Sequence, residues 1–164
     1  MSDTPSDSAS GTDDRGAATA GRTADPHPAL RTRFCQLVGC RLPVVQTGMG
    51  WVSGASLTAA TSAAGGFGIL AAVTMTGPQL VDAIATVKDR TGAPFGVNFR
   101  ADQPDLGERI DLCVREGVPL VSFAGAPTKD AIDRLHDAGI LVMPTVGARR
   151  HAEKMLGWGV DAVI

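Results

Sequence analysis

The chain has 164 residues and a formal net charge of −2, which is enough length for one domain with a sizeable core. A charge so close to zero offers no basic surface for nucleic acid or an anionic membrane, and the scarcity of aromatic residues, with no tyrosine, disfavours base stacking. Alanine, valine, glycine and leucine dominate, as is typical of α/β proteins that pack small-residue helices on buried strands.

The three cysteines indicate a reducing compartment, because an odd and sparse set does not make a disulfide framework. Cys35 and Cys40 lack a second Cys/His pair at ligand spacing, so no metal site is expected. Residues 42–81 carry no charge, but polar residues, glycine and proline interrupt them, and no stretch of about 18 apolar residues occurs. Residues 1–28 lack the apolar core of a secretory signal. We therefore expect a soluble cytoplasmic protein that binds neither nucleic acid nor membrane.

The first 28 residues differ in composition from the rest of the chain. They are rich in Ser, Thr, Asp, Gly, Ala and Pro and have almost no large apolar side chain. Such a segment cannot bury enough surface to offset the entropy of ordering, so residues 1–28 are predicted to be a disordered tail. Residues 29–164 form the predicted domain, which begins with a short helix over residues 29–40.

An alternation of strand and helix patterns follows. Five helix patterns, several with proline at the start and glycine at the end, separate the apolar runs. The runs read as fully buried strands of a parallel sheet with right-handed crossovers. The strands are predicted at residues 42–46, 67–73, 95–99, 120–123, 140–144 and 161–164, and the helices at residues 56–64, 78–90, 104–116, 127–138 and 148–158.

Two architectures share this pattern, an open doubly wound sheet and a closed (β/α)₈ barrel. A whole barrel takes roughly 200–250 residues, and this chain reaches only the sixth strand. If the fold is a barrel, about two of its eight units are missing. The apolar end at residues 161–164 predicts a truncated chain.

The segment VVQTGMGWVSGASL, residues 44–57, joins the first strand to the next helix through three glycines. It fails the dinucleotide fingerprint, because Ser53 occupies the third glycine position and no acidic residue ends the second strand. It also lacks the lysine of a P-loop. A simple tight turn stays open as an explanation. Gly48 and Gly50 would let a flat ligand approach the backbone, and Met49 and Trp51 suit an aromatic ring better than a pyrophosphate.

Four segments together carry a family resemblance: LPVVQTGMGWVSG, SAAGGFGIL, PFGVNFR and VMPTVGARRHAEKMLGWGVDAVI. In this order they resemble the nitronate monooxygenase (2-nitropropane dioxygenase-like) family of FMN-dependent (β/α)₈ barrels, over about residues 30–164. The form QTGMGWVSGA is closer to actinobacterial members that act on CoA thioesters in steroid-ring breakdown. The resemblance implies an α/β barrel of the TIM type, incomplete at about strands 1–6. It also implies an oxidoreductase that oxidises a small molecule, either a nitronate or an acyl-CoA or steroid-derived substrate.

The resemblance also implies roles for single residues. The turn of Thr47, Gly48 and Met49 would line the flavin, and Asn98 would hydrogen-bond the edge of the isoalloxazine ring, since an amide both donates and accepts. Asn98 could instead stabilise a turn after its strand. Further residues would face the same mouth of the barrel, and they are Ser122, Phe123 and Thr145.

No catalytic residue is expected within the chain. The resemblance implies a catalytic histidine after strand six, beyond Ile164, and an FMN phosphate site later still. The three histidines present, His27, His136 and His151, are expected on the surface. Two alternatives to an active flavin enzyme stay open: a catalytically silent fragment and, with less support, an NAD-binding open α/β domain. A homo-oligomer also stays open.

Overall fold

The computed structural model describes residues 25–164. Nearly all of the predicted disordered tail, residues 1–24, lies outside the described residues. The described part opens with a short 3₁₀ turn, Pro28–Leu30, and helix α1, Arg33–Val38. The single helix predicted over residues 29–40 is therefore wrong in its extent, because Thr32 takes an extended conformation and caps α1 through its side chain.

Five parallel strands form one sheet, in which they are paired in the order of the chain. Each strand lies beside the one that precedes it in the chain, so all crossovers run in the same direction. A doubly wound sheet reverses that direction at a switch point, so this order identifies the barrel alternative and the fold is a parallel α/β half-barrel. The strands are β1 Val45–Gln46, β2 Phe67–Ala71, β3 Phe95–Arg100, β4 Leu120–Ala124 and β5 Leu141–Thr145.

Helices follow the strands at the positions that the sequence predicts, within two residues at either end. The helix Gly77–Arg90 starts with a capping box in which Thr76 and Gln79 satisfy each other's backbone N–H groups. No helix among residues 25–164 combines the length and apolar character needed to cross a membrane. The helices are α2 Ala55–Ala63, α3 Gly77–Arg90, α4 Leu106–Arg115, α5 Lys129–Asp137 and α6 Arg149–Gly157.

Two of the predicted strands are wrong in detail. The first, residues 42–46, is only the two-residue β1, and Val45 is 38% exposed rather than buried. The reason is that β1 is an edge strand, paired within residues 25–164 only with β2. Residues 161–164 are not a strand, although the backbone N–H groups of Asp161 and Ile164 donate to carbonyls of β5 at 3.1 and 3.0 Å.

Both faces of the sheet are covered, which explains why the strands lack an alternating pattern. The outer face, with Leu70, Val97 and Val121, packs against the helices. The inner face, with Phe67, Ile69 and Leu120, packs against α1 near the amino ends of the strands. The carboxyl ends of the same strands carry the polar residues that follow.

Candidate functional site

The turn after β1 is organised around one buried hydroxyl. Ser53 is 1% exposed, and its Oγ accepts hydrogen bonds from the Met49 N–H at 2.9 Å and from Gln46 Nε2 at 2.8 Å. The same hydroxyl donates to the Thr47 carbonyl at 3.0 Å. These three hydrogen bonds to one small buried side chain fix the backbone conformation of residues 47–53 without a large apolar core in the turn.

The same turn presents apolar side chains outward. Trp51 is 89% exposed and has a φ of 65°, the one non-glycine residue with left-handed backbone in the described part of the chain. This conformation costs about 1–2 kcal/mol for an L-residue, so the hydrogen bonds of the turn must impose it. Met49 is also exposed. A cleft of about 320 Å³ beside the turn is bounded by Trp51, Ser53 and Ala71 among others.

Gly48 lies directly against Asn98. A Cβ atom placed on Gly48 would be only 2.4 Å from the Asn98 Cβ and 2.9 Å from its Cγ, so only glycine fits at this position without a shift. The turn that follows β1 therefore contacts strand β3, across the carboxyl end of β2. Two of the residues that the resemblance singles out are thus neighbours in the fold.

Asn98 belongs to a row of inner-face residues near the carboxyl ends of the strands. The register aligns Ala71, Asn98, Ser122 and Met143 across β2 to β5. Asn98 is 8% exposed, and its Nδ2 donates to the Oγ of the fully buried Ser122 at 2.9 Å. Asn98 lies inside β3 and bonds a neighbouring strand, so the alternative that it stabilises a turn after the strand is wrong.

Two other residues predicted to face the mouth of the barrel, Thr145 and Phe123, lie on opposite faces of the sheet. Thr145 ends β5, is exposed, and shares a row with Arg100 and Ala124, one layer further toward the mouth than Asn98. The placement of Phe123 at the mouth is wrong, because successive strand residues point to opposite faces. Phe123 packs on the helix side, with its ring 6.4 Å from that of Phe99.

The histidines are spread over the surface. His27 accepts a hydrogen bond from the Ala29 N–H at the start of the 3₁₀ turn Pro28–Leu30, and His151 is exposed in α6. His136 is half-buried, with its Nε2 3.0 Å from the Asp161 carboxylate. No group of three or more side chains that could hold a metal ion occurs within residues 25–164.

Arg109 is a buried residue, and its i, i+4 spacing from Asp105 is the one sequence signal that points to it. Its guanidinium donates to the carbonyls of Ala72 at 2.9 Å and Met75 at 2.8 Å, and to the Asp105 carboxylate at 2.7 Å. The hydrogen bond from Arg109 lowers the pKa of Asp105. Arg109 therefore ties the segment after β2 to α4.

The fold and the site define a class of protein: a parallel α/β half-barrel that collects a glycine turn and a buried polar row at the carboxyl ends of its strands, where barrel enzymes build their active sites. The chain matches the nitronate monooxygenase family over residues 31–112 and 106–164. It belongs to this family, as the sequence motifs predict. Members of the family are in general flavin-dependent oxidoreductases.

One curated relative and two solved structures show which members of the family are similar to this chain. The chain is 55% identical over 135 residues to (3aS,4S,5R,7aS)-5-hydroxy-7a-methyl-1-oxo-octahydro-1H-indene-4-carboxyl-CoA dehydrogenase of Mycobacterium tuberculosis, a match that covers 82% of this chain and 38% of the relative. FabK from Thermotoga maritima is similar in structure, with a TM-score of 0.78, 34% identity, and coverage of 81% of this chain and 43% of FabK. Nitroalkane oxidase from Streptomyces ansochromogenes has a TM-score of 0.72 and 31% identity, with coverage of 80% and 47%. The chain thus spans less than half the length of these proteins.

The residues present are compatible with a flavin ring at this edge of the sheet. Because Gly48 has no side chain, the backbone of the turn packs directly against Asn98, so the backbone groups of the turn and the Asn98 amide lie side by side. The Asn98 amide uses one N–H on Ser122, which leaves a second N–H and a carbonyl oxygen with further bonding capacity. These are the donor and acceptor that a heterocycle edge requires.

Proposed function

We propose that this chain is part of an FMN-dependent oxidoreductase that oxidises a CoA thioester related to the one in the name of its mycobacterial relative. The observation that carries the proposal is the packing of Gly48 against Asn98 at the carboxyl ends of the strands. It brings the backbone of the turn and a hydrogen-bonding amide side by side in a family whose members are in general flavin-dependent. Three unpaired cysteines favour a reducing environment, so we assign the activity to the cytoplasm.

In this proposal the chain's own residues bind and orient the cofactor. The backbone of Thr47 and Gly48 and the side chain of Met49 form the floor under the ring. Asn98 hydrogen-bonds the ring edge, and Thr145 lies at the rim. When bound, FMN supplies the two-electron redox chemistry, while the protein supplies position and exclusion of water.

The choice of substrate rests on the degree of similarity. Identity to the CoA dehydrogenase is 55%, compared with 31% to the nitroalkane oxidase, over similar shares of this chain. A nitronate is the alternative substrate. The two are separable, because anaerobic addition of the true substrate to the flavin-loaded protein bleaches the flavin absorbance. Bleaching by a nitronate and not by a hydroxyacyl-CoA thioester would refute the substrate assignment and leave the cofactor assignment standing.

The cofactor assignment is tested by titrating the chain with FMN and following flavin fluorescence. We expect saturable binding in a monodisperse sample. Asn98→Ala should weaken FMN at least tenfold, because it removes the amide from the ring edge. Ser122→Ala is the matched control: it breaks the same internal hydrogen bond from the other side but keeps the amide, and should change the Kd by less than threefold.

Two outcomes would contradict the assignment. Equal FMN affinities for wild type and Asn98→Ala would remove the proposed role of this residue. A folded, monodisperse chain that fails to bind FMN would favour the catalytically silent alternative.

A further inference from the structure

The cleft beside Trp51 lies between the turn after β1 and the segment that follows β2. Trp51 and Ser53 belong to one of its walls, and Thr74, Met75 and Gln79 belong to the other. Its volume of about 320 Å³ is near the lower end of the range of about 300–1,000 Å³ that is usual for small-molecule sites. The cleft therefore suits a single ring system and is too small for a whole dinucleotide.

Buried polar side chains hold both walls of the cleft. The Ser53 hydroxyl fixes the turn through its three hydrogen bonds, and the Ser53 carbonyl accepts the Ala71 N–H at 3.0 Å. On the other side, the Arg109 guanidinium donates to the carbonyls of Ala72 at 2.9 Å and Met75 at 2.8 Å. The cleft thus has a fixed shape without a ligand, which reduces the entropy that a ligand must lose on binding.

Trp51 presents its indole ring to solvent at the edge of the cleft. Tryptophan is on average highly buried in folded proteins, but Trp51 is 89% exposed and has left-handed backbone. An unfavourable backbone conformation that the surrounding hydrogen bonds impose is a feature of ligand sites. The exposed ring offers a face on which a second flat ring can stack.

The other functional groups of the cleft are polar but uncharged. Gln79 Oε1 accepts the Thr76 N–H at 2.8 Å, which orients the amide. Gln79 Nε2 and the Thr74 hydroxyl have no hydrogen-bond partner among residues 25–164. In the same part of the chain no charged side chain lines the cleft. A neutral heterocycle with donors and acceptors on its edge therefore fits these groups, whereas a phosphate or a carboxylate would lack a cation.

We propose that this cleft binds the adenine ring of the CoA thioester substrate, stacked on Trp51. The inference rests on the proposed function, which supplies a CoA thioester as the substrate. Adenine is the part of CoA that is planar and neutral and that carries both donors and acceptors on its edge. The cleft and the proposed flavin site use different parts of one turn, because Gly48 contacts Asn98 and Trp51 borders the cleft. The long pantetheine arm allows the acyl group to lie at the flavin while adenine lies in the cleft.

Intrinsic fluorescence tests the location of the ring, because the chain has only two tryptophans. The second, Trp158, lies away from the cleft, with its ring centroid 4.4 Å from Lys154 Nζ. Trp158→Phe leaves Trp51 as the sole indole. In this variant we expect CoA and ADP to quench the emission saturably, and pantetheine, which has no adenine, to leave it unchanged. No quenching by CoA, or equal quenching by pantetheine, would overturn the proposal. Quenching by ADP and not by CoA would also overturn it and would identify a site for a free adenine nucleotide.

Calorimetric titration with CoA measures the contribution of the indole ring. Trp51→Ala should weaken CoA about tenfold to a hundredfold, as expected when a base loses its aromatic stacking partner. Trp51→Phe should keep most of the affinity. Because Trp51 is exposed, its truncation should leave the chain folded. Val52→Ala is the matched control, since Val52 is an exposed apolar residue of the same turn that does not line the cleft. It should change the Kd for CoA less than twofold, and equal CoA affinities in wild type and Trp51→Ala would refute the proposal.

The adenine site and the proposed function can fail separately. If the chain binds FMN but its affinity for CoA does not depend on Trp51, the adenine site is wrong and the cofactor assignment stands. If CoA affinity depends on Trp51 in a chain that does not bind FMN, the adenine site stands and the cofactor assignment is wrong. ADP and FMN should bind together, and competition between them would place the flavin in the cleft and overturn the adenine assignment.

Discussion

The replacement of Gly48 by alanine tests whether the approach of the turn to Asn98 is as close as the structure has it. The new Cβ would lie 2.4 Å from the Asn98 Cβ, about 1 Å short of the 3.4 Å at which ordinary contact begins. A Cβ is attached to the backbone, so no change of the Asn98 rotamer relieves this overlap. The turn or β3 must therefore move.

The size of the effect follows from two opposing contributions. Overpacking of this kind costs about 1–3 kcal/mol, whereas replacing glycine by alanine stabilises by about 0.4–1 kcal/mol through the unfolded state. We expect Gly48→Ala to lower the free energy of unfolding by about 1–2 kcal/mol. It should also weaken FMN binding, because the floor of the proposed site shifts.

Gly50→Ala is the matched control, two residues away in the same turn. Its Cβ would meet Thr74 Cγ2 at 3.7 Å and Val73 Cγ1 at 3.8 Å, which are ordinary contacts. We expect it to be neutral or slightly stabilising. Equilibrium unfolding in urea measures both variants, and FMN titration follows. If Gly48→Ala and Gly50→Ala differ by less than about 0.5 kcal/mol in unfolding free energy, less than the overpacking cost, the close packing of Gly48 on Asn98 is wrong.

Four further predictions concern polar groups. Ser53→Ala should lower the unfolding free energy by about 1–3 kcal/mol, measured in urea, because the three part-buried hydrogen bonds of the buried hydroxyl are lost. In a double-mutant cycle in urea, Asn98→Ala and Ser122→Ala should be non-additive by at least about 0.5 kcal/mol; additivity would contradict their hydrogen bond. Arg109→Met should cost about 3 kcal/mol by the same assay, since two carbonyls and Asp105 lose their donor. The lowered pKa of Asp105 means that its stabilisation is present above its ordinary pKa near 3.9 and lost as the pH falls through the lower folded value. Acid unfolding curves of wild type and Asp105→Asn should therefore converge at low pH.

Local sequence patterns predict most of the helices and strands, because the residues that start and end each of them lie within it or next to it. Proline and a threonine cap mark the start of α3, and left-handed glycine marks the end of α1. The four family motifs lead to the correct family and to the barrel-type fold. The start of α1 and the burial of β1 are less well predicted. The Thr32 side-chain cap shortens α1, and the edge position of β1 leaves Val45 exposed.

The sequence by itself determined the alternation of strands and helices, the family, and glycine and asparagine as the residues to inspect. Only the tertiary structure decided between a barrel and a doubly wound sheet, since both have the same local pattern and differ in which strands pair. Only the structure placed Gly48 against Asn98, Asn98 beside Ser122, and Phe123 on the helix side. The physical reason is that a sheet covered on both faces carries no alternation of polar and apolar residues. The direction of each side chain is therefore set by long-range pairing and not by its neighbours in the chain.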